Sequence, residues 1–292
     1  MRGRGRTAFI LAFLAPACTV YAALVVWPLI QAVLFSGYRW RGVSRIRTYV
    51  GLDNYQTLWR DDAFWTALKN NLFLLLFAGM AIVALALLVA HGVRGAGRLP
   101  RFLRSIYLFP QVVSVVVVAV LWQFILNPQG LLNAGLAKVG IEGRAWLGDP
   151  SWALPAVGIA FVWYAVGFYI MLFAAGLEGI PSEIHEAAEL DGSRSWHRFK
   201  TVTWPLLWSV KRVAVTYLAI TVMNTFALVY LMTRGGPDRR SEVMLTYLYE
   251  NAFVNSQFGY ATALAVGNFV VVMTLSLAIL WAFRRNPTEA RG

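Results

Sequence analysis

Six long stretches almost empty of charge leave this chain few folds to choose from. Thr7–Phe35, Asn70–Val93, Ser105–Ala137, Trp152–Leu177 and Phe258–Phe283 contain no Asp, Glu, Lys or Arg, and Leu206–Thr233 holds only Lys211 and Arg212, near its start. Hydrocarbon offers a backbone no water, so a segment crossing it must pair its own N–H and C=O groups, which a helix of about 20 residues does. Composition points the same way: 59% hydrophobic and 14% charged residues with a mean hydropathy of +0.59 exceed what a soluble core of 292 residues needs. The expected fold is an all-α membrane protein of six transmembrane helices in one domain, 1–292. Its spans are expected at about 7–35, 70–93, 105–126, 152–177, 206–233 and 258–283.

The first run follows three arginines, as a signal peptide would, and Ala15-Pro16-Ala17-Cys18 resembles a lipoprotein cleavage site. It continues far past Cys18, however, and that length suits a spanning helix better than a cleaved segment of roughly 7–15 apolar residues. The third run is too long for one span. It is read as a helix to about Leu126, with Pro110 in its first turns, followed by an outer loop marked by Asn127-Pro128 and Gly130. Cys18 is the only cysteine, which excludes an internal disulfide and a cysteine-only metal site.

A net charge of +12 raises nucleic acid as a partner, but the basic residues flank the apolar runs and form no single stripe. Membrane lipid accounts for them better. Six spans place both termini on the same side as the segments 94–104 and 178–205. Arg94, Arg98, Arg101 and Arg104 have no acid among them and should stay inside, whereas Arg39, Arg41, Arg45 and Arg47 in the first outer loop pull the other way.

Gly176–Pro205 is the one long polar segment between two apolar runs that also carries a helical repeat. Ile180, Ile184, Ala187 and Ala188 form a stripe, with Glu183, Glu186 and Glu189 opposite. Ser182 is the expected N-cap, Glu183 lies in the first turn and Gly192 is the stop. A second short turn places Trp196 and Phe199 on one face. On periodicity alone, a solvated connector between two spans fits as well as a docking knob.

The spelling is more specific. Glu186-Ala187-Ala188, three residues, Gly192, nine residues and Val202-x-Trp204-Pro205 resemble the pattern E-A-A-x3-G-x9-I-x-L-P in the membrane subunits of bacterial ABC importers, with Val for Ile and Trp for Leu. The longer run from Gly176 to Gly192 is similar to the maltose-type and glycerol-phosphate-type permeases, although His185 stands where Tyr is usual. Gly51-Leu52-x-Asn54-Tyr55, Leu108-x-Pro110, Asn127-Pro128-x-Gly130-x-x-Asn133 and Thr233-x-Gly235-Gly236-Pro237 also resemble family spellings. The resemblance implies the type I importer architecture in a bacterial inner membrane, with both termini cytoplasmic. Segment 178–205 would then be a cytoplasmic coupling loop that meets an ATPase subunit through Glu183, Glu186, Ala187, Ala188, Asp191, Gly192, Trp196, Phe199 and Pro205. It implies a substrate path at Phe161, Ala165, Phe168, Leu218, Thr221, Val222 and Thr225, to which the neighbouring Asn224 is added. The implied partners are a second, homologous permease, two copies of an ABC ATPase that bind ATP-Mg, and an extracytoplasmic solute-binding protein. This chain itself would hold no cofactor.

Two enzyme readings fail on the residues. None of Lys69, Lys138, Lys200 and Lys211 follows a glycine, so there is no G-x-x-x-x-G-K-[ST] phosphate loop, and His185-Glu186-Ala187-Ala188-Glu189 lacks the second histidine of H-E-x-x-H. The stronger rival is an ion-coupled secondary transporter. Such a carrier normally buries an ionisable residue within a span, and these spans hold essentially none.

Overall fold

The computed structural model describes residues 2–92 and 97–285, apart from the side chains of residues 2–8, 99–101 and 104. Arg94 and the side chains of Arg101 and Arg104, used above to argue orientation, lie outside the described residues, as do the side chains of the three arginines ahead of the first run. The chain falls into two units, one of residues up to Asp61 with Leu248–Phe269, the other of Asp62–Tyr247 with residues from Val270 on.

In the first unit α1 (Arg2–Tyr21), a π turn (Ala22–Val26) and α2 (Trp27–Ser36) run on as one apolar helix. Pro28 has no N–H for the carbonyl four residues back. The widened turn ahead of it absorbs that loss, with Trp27 N–H donating to Ala22 O. Two short antiparallel strands follow, β1 (Tyr38–Arg39) and β2 (Thr48–Tyr49), with Tyr38 opposite Tyr49, and then α3 (Asp53–Arg60). Here the Gly-Leu-x-Asn-Tyr spelling acts as a clamp. Asn54 Nδ2 donates to Ser36 O at 2.7 Å and Tyr38 O at 3.0 Å, and the Tyr55 hydroxyl sits 2.7 Å from Ser36 Oγ, so α3 closes the open end of α2. Gly42, at φ +86°, lies beneath the Phe258 ring, where a Cβ would come within 2.2 Å of it.

In the second unit α4 (Asp62–Gly92) lies along α8 (Ala153–Glu178), the most extensive helix pair of the chain, with α5 (Arg98–Val112) and α6 (Val115–Leu126) beside α8. Both helices put small residues into the core, Ala78, Ala86 and Ala90 from α4 and Ala156, Ala160 and Ala174 from α8, and Gly158 comes so close to α4 that a Cβ would stand 3.1 Å from the Phe77 ring. Lipid is as apolar as leucine, so close packing rather than water exclusion holds such helices together. A Cβ on Gly167 would stand 1.9 Å from Tyr107 O, which shows how tightly α5 is laid on α8. α7 (Leu131–Lys138) follows the Asn-Pro turn. Asn133 organises it by donating to Pro128 O (3.0 Å) and Arg144 O (2.8 Å) and accepting from Arg144 N (3.3 Å) and Trp146 Nε1 (2.8 Å).

The third apolar run differs from the expected single helix. Its helix begins at Arg98 and stops at Val112, so Pro110 stands near the end of α5 rather than in the first turns. Pro110 cannot donate to Ile106 O, and Ser114 then caps a new helix by accepting from Val116 N at 3.3 Å. The polar segment forms α9 (Ser182–Leu190) and α10 (Ser195–Arg198), then a π turn (Phe199–Thr203) and α11 (Trp204–Leu206). The fifth run is α12 (Trp208–Met223) and α13 (Ala227–Met232), separated at Asn224–Phe226. α14 (Met244–Tyr249), a π turn (Glu250–Val254) and α15 (Phe258–Ala282) complete the chain. The stretch around Tyr247 is helical and sinks one face inward. Met244, Thr246 and Tyr247 are buried while Phe253 is exposed.

Candidate functional site

The knob between α8 and α12 is shaped by its ends. Pro181, at φ −55° and ψ 140°, holds the N-cap position, so Ser182 is the first helical residue rather than the cap expected from its hydroxyl, and no side chain caps α9. Glu183 does lie in the first turn. At the other end Gly192 adopts φ +73°, its N–H donating to Glu189 O (2.9 Å) and Ser193 N–H to Ala188 O (3.0 Å), the paired closure that a glycine in the left-handed region permits.

Arg198 of α10 pairs with Glu189 of α9, which holds the two short helices against each other. Trp196 stacks on Phe199 with ring centroids 5.6 Å apart, and Phe199 leans on Trp204 at 6.1 Å. What α9 lacks is cover. None of its residues is buried; Glu183, Glu186 and Ala187 are exposed, Ala188 is half-buried, and Asp191 and Gly192 beyond it are exposed. Leu190 is 90% exposed and Trp196 74% exposed. An amphipathic helix that presents both its acids and its apolar groups to the outside is an unfinished interface. Pro205 sits in the first turn of α11, where a missing N–H costs least.

The second group of candidate residues lies where α8 and α12 face each other. Phe161, Ala165, Leu218 and Val222 are buried among the helices of this chain, whereas Phe168, Thr221 and Thr225 are half-buried and Asn224 is exposed. Phe168 packs on Tyr217 with centroids 5.0 Å apart, and Thr221 donates its hydroxyl proton to Tyr217 O at 2.8 Å, leaving its oxygen lone pairs as acceptors. Asn224 Nδ2 donates to Ile220 O at 2.8 Å. Thr221, Asn224 and Thr225 therefore cluster at the break between α12 and α13, where side chains that bond the backbone compete with the helix.

That break needs partners that the sequence reading missed. Asn71 of α4 is wholly buried; it donates to Val222 O and accepts from Met244 N, both at 2.8 Å. Gln123 of α6 donates to Leu231 O at 2.6 Å, at the far end of α13. Within hydrocarbon an unwound helix survives only where such groups take up its freed carbonyls. The available signal was an amide, Asn71 or Gln123, within a mostly apolar run. Beyond α13, Glu242 is buried yet satisfied, accepting from Thr246 and lying 3.4 Å from Arg239. Gly235, at φ +84°, passes so close that a Cβ would stand 2.8 Å from the Glu242 carboxylate, which accounts for a glycine there.

Comparison with known proteins agrees over most of the length. Residues 82–285 match the family model described as binding-protein-dependent transport system inner membrane component. The diacetylchitobiose uptake system permease protein NgcF of Streptomyces coelicolor is 36% identical over 293 residues, covering 94% of this chain and 81% of the relative. The probable ABC transporter permease protein YurN of Bacillus subtilis is 35% identical over 285 residues, 95% and 96% of the two chains. One chain of the crystal structure of a bacterial ABC transporter that imports alginate superposes with a TM-score of 0.83 at 22% identity, over 97% of each chain.

Proposed function

This chain belongs to the family of binding-protein-dependent transport system inner membrane components, the permease subunits of ABC importers, and from that premise we propose what it moves and how. Its cargo is a sugar or related polyol, handed over by an extracytoplasmic solute-binding protein. A homologous but different permease forms the other half of the path, and two copies of an ABC ATPase supply the work. Family membership sets aside the ion-coupled carrier.

The single observation that carries the coupling role is the bare helix α9. Among the described residues nothing covers its acids Glu183 and Glu186 or Leu190 and Trp196, and an ATPase subunit is the partner that fits them. ATP-Mg, bound by that partner, drives its two copies together and apart. Because the knob hangs between α8 and α12, displacement of α9 tilts both helices and alternately opens the path to each side. Fuel and transport are then linked only through the different contacts that the knob makes in the two states. On this reading both termini and the knob are cytoplasmic.

Phe168 and Tyr217 offer ring faces and Thr221, Asn224 and Thr225 offer polar groups at the α12–α13 break, which suits a pyranose with its apolar face and ring of hydroxyls. The diacetylchitobiose uptake of a relative supports a saccharide. The decisive experiment reconstitutes the chain with its partner permease, ATPase and binding protein in proteoliposomes. Uptake of labelled oligosaccharide should require ATP and the binding protein together. Uptake by this polypeptide alone, driven by an ion gradient, would overturn the reading.

A further inference from the structure

Lys211 is the one cation of the fifth run that does not reach water. In the structure Arg212 is exposed while Lys211 is only 6% exposed. Among the described residues no carboxylate pairs with it. Its ammonium instead lies 3.9 Å from the centroid of the Trp204 ring and 5.3 Å from that of Trp208. A buried lysine needs a source of negative potential, and two indole faces provide it.

The place matters as much as the pair. Segment Ser195–Leu206 meets α12 at an angle of 70°, with Leu207, wholly buried at φ −75° and ψ 10°, as the corner. Trp204 stands on the knob side of that corner and Lys211 on the α12 side, so their contact spans the bend. Trp208 fixes the corner from behind: its Nε1 donates to Phe283 O at 3.1 Å and its ring lies 4.6 Å from that of Phe283. Gly176 lets α8 close on the same corner, since a Cβ there would meet Val210 at 2.6 Å.

We propose that Trp204 and Lys211 form a cation–π clip across the Leu207 elbow, which makes the knob and α12 move as one lever. Lys211 is thus a positioning residue for coupling. The inference rests on the proposed role of the knob. A hinge free to flex at Leu207 would absorb displacement of α9; a clipped one passes it to the α12–α13 break.

The test measures sugar molecules imported per ATP hydrolysed by the complete importer in proteoliposomes. Lys211→Met, which keeps length and apolar volume, should lower that ratio at least threefold while substrate affinity is unchanged. Lys211→Arg should restore it, because a guanidinium also stacks on indole. Trp204→Leu should match Lys211→Met, and the double variant should be no worse than either single one. Should Lys211→Met not assemble, Trp204→Leu and Lys211→Arg still carry the test. A wild-type ratio in Trp204→Leu, or single effects that multiply in the double variant, would overturn the clip. Loss of ratio in Lys211→Met but not in Trp204→Leu would instead assign Lys211 to an acidic partner. A wild-type complex in which hydrolysis and uptake are unconnected would sink the role of the knob itself, a result separate from any of these.

Discussion

Two residues decide whether the broken fifth helix and the knob can exist. Asn71 is wholly buried and both ends of its amide are used, one on Val222 O and one on Met244 N–H. Asn71→Leu keeps the volume but strands Met244 N–H, while Val222 O keeps its bond from Thr225 N at 3.1 Å. Since each unsatisfied buried group costs about 1–3 kcal/mol, the purified complex should melt several degrees lower. An unchanged melting temperature would mean that the α12–α13 break is held some other way. Gly192 sits at φ +73° with open space around the position of a Cβ, so the penalty for another residue is conformational rather than steric. Gly192→Asn should be mild. Gly192→Val should cost about 1–2 kcal/mol at the end of α9 and reduce co-purification of the ATPase subunit. Equal recovery with Val would remove the case for a fixed α9 end. Trp204, the departure from the leucine of the E-A-A pattern, gains a physical account in its contact with Lys211.

At the level of the helix, charge-free length located the apolar elements well, and the breaks within them poorly. The stretch from Ser105 to Leu126 and Leu206–Thr233 read as continuous because valine, leucine and phenylalanine are equally at home on either side of a break. What interrupts them is Pro110 with Ser114 in one case, and Thr221, Asn224 and Thr225 in the other, each a local competitor for backbone bonds. The polar residues of the candidate path were legible, but their gathering at one unwound turn was not, because it depends on Asn71 and Gln123 from distant runs. Close approach was equally hidden. Gly167 is an ordinary glycine in sequence, yet the backbone of Tyr107 lies where its Cβ would go, with the oxygen at 1.9 Å. Gly167→Ala should push α5 off α8 and destabilise the permease by roughly 1–3 kcal/mol, read as a lower yield of monodisperse protein in detergent. Wild-type yield and melting would show that α5 shifts at no cost.

For the whole molecule the open question is direction, because counting basic residues biases it only weakly. Part of the opposing charge is structural: Arg47 of the first outer loop lies over Phe35 and Trp40, at 4.9 and 4.5 Å from their centroids, and is committed to that fold. It therefore says less about sidedness than a free arginine would. An orientation with the knob inside is also the only one that serves coupling, since ATP is a cytoplasmic fuel and α9 has no other proposed use. Replacing Cys18 by serine gives a cysteine-free chain, and single cysteines can then be placed at Ser182 on the knob and at Asp238 or Ser256 in the opposite loops. A membrane-impermeant maleimide should label the Asp238 and Ser256 positions in intact spheroplasts and spare Ser182, which should react only in inside-out vesicles. Adding the ATPase subunit should then protect Ser182, because the uncovered face of α9 is where the motor would sit. Labelling of Ser182 from outside would overturn both the orientation and the coupling role, since a handle on that face is out of reach of ATP.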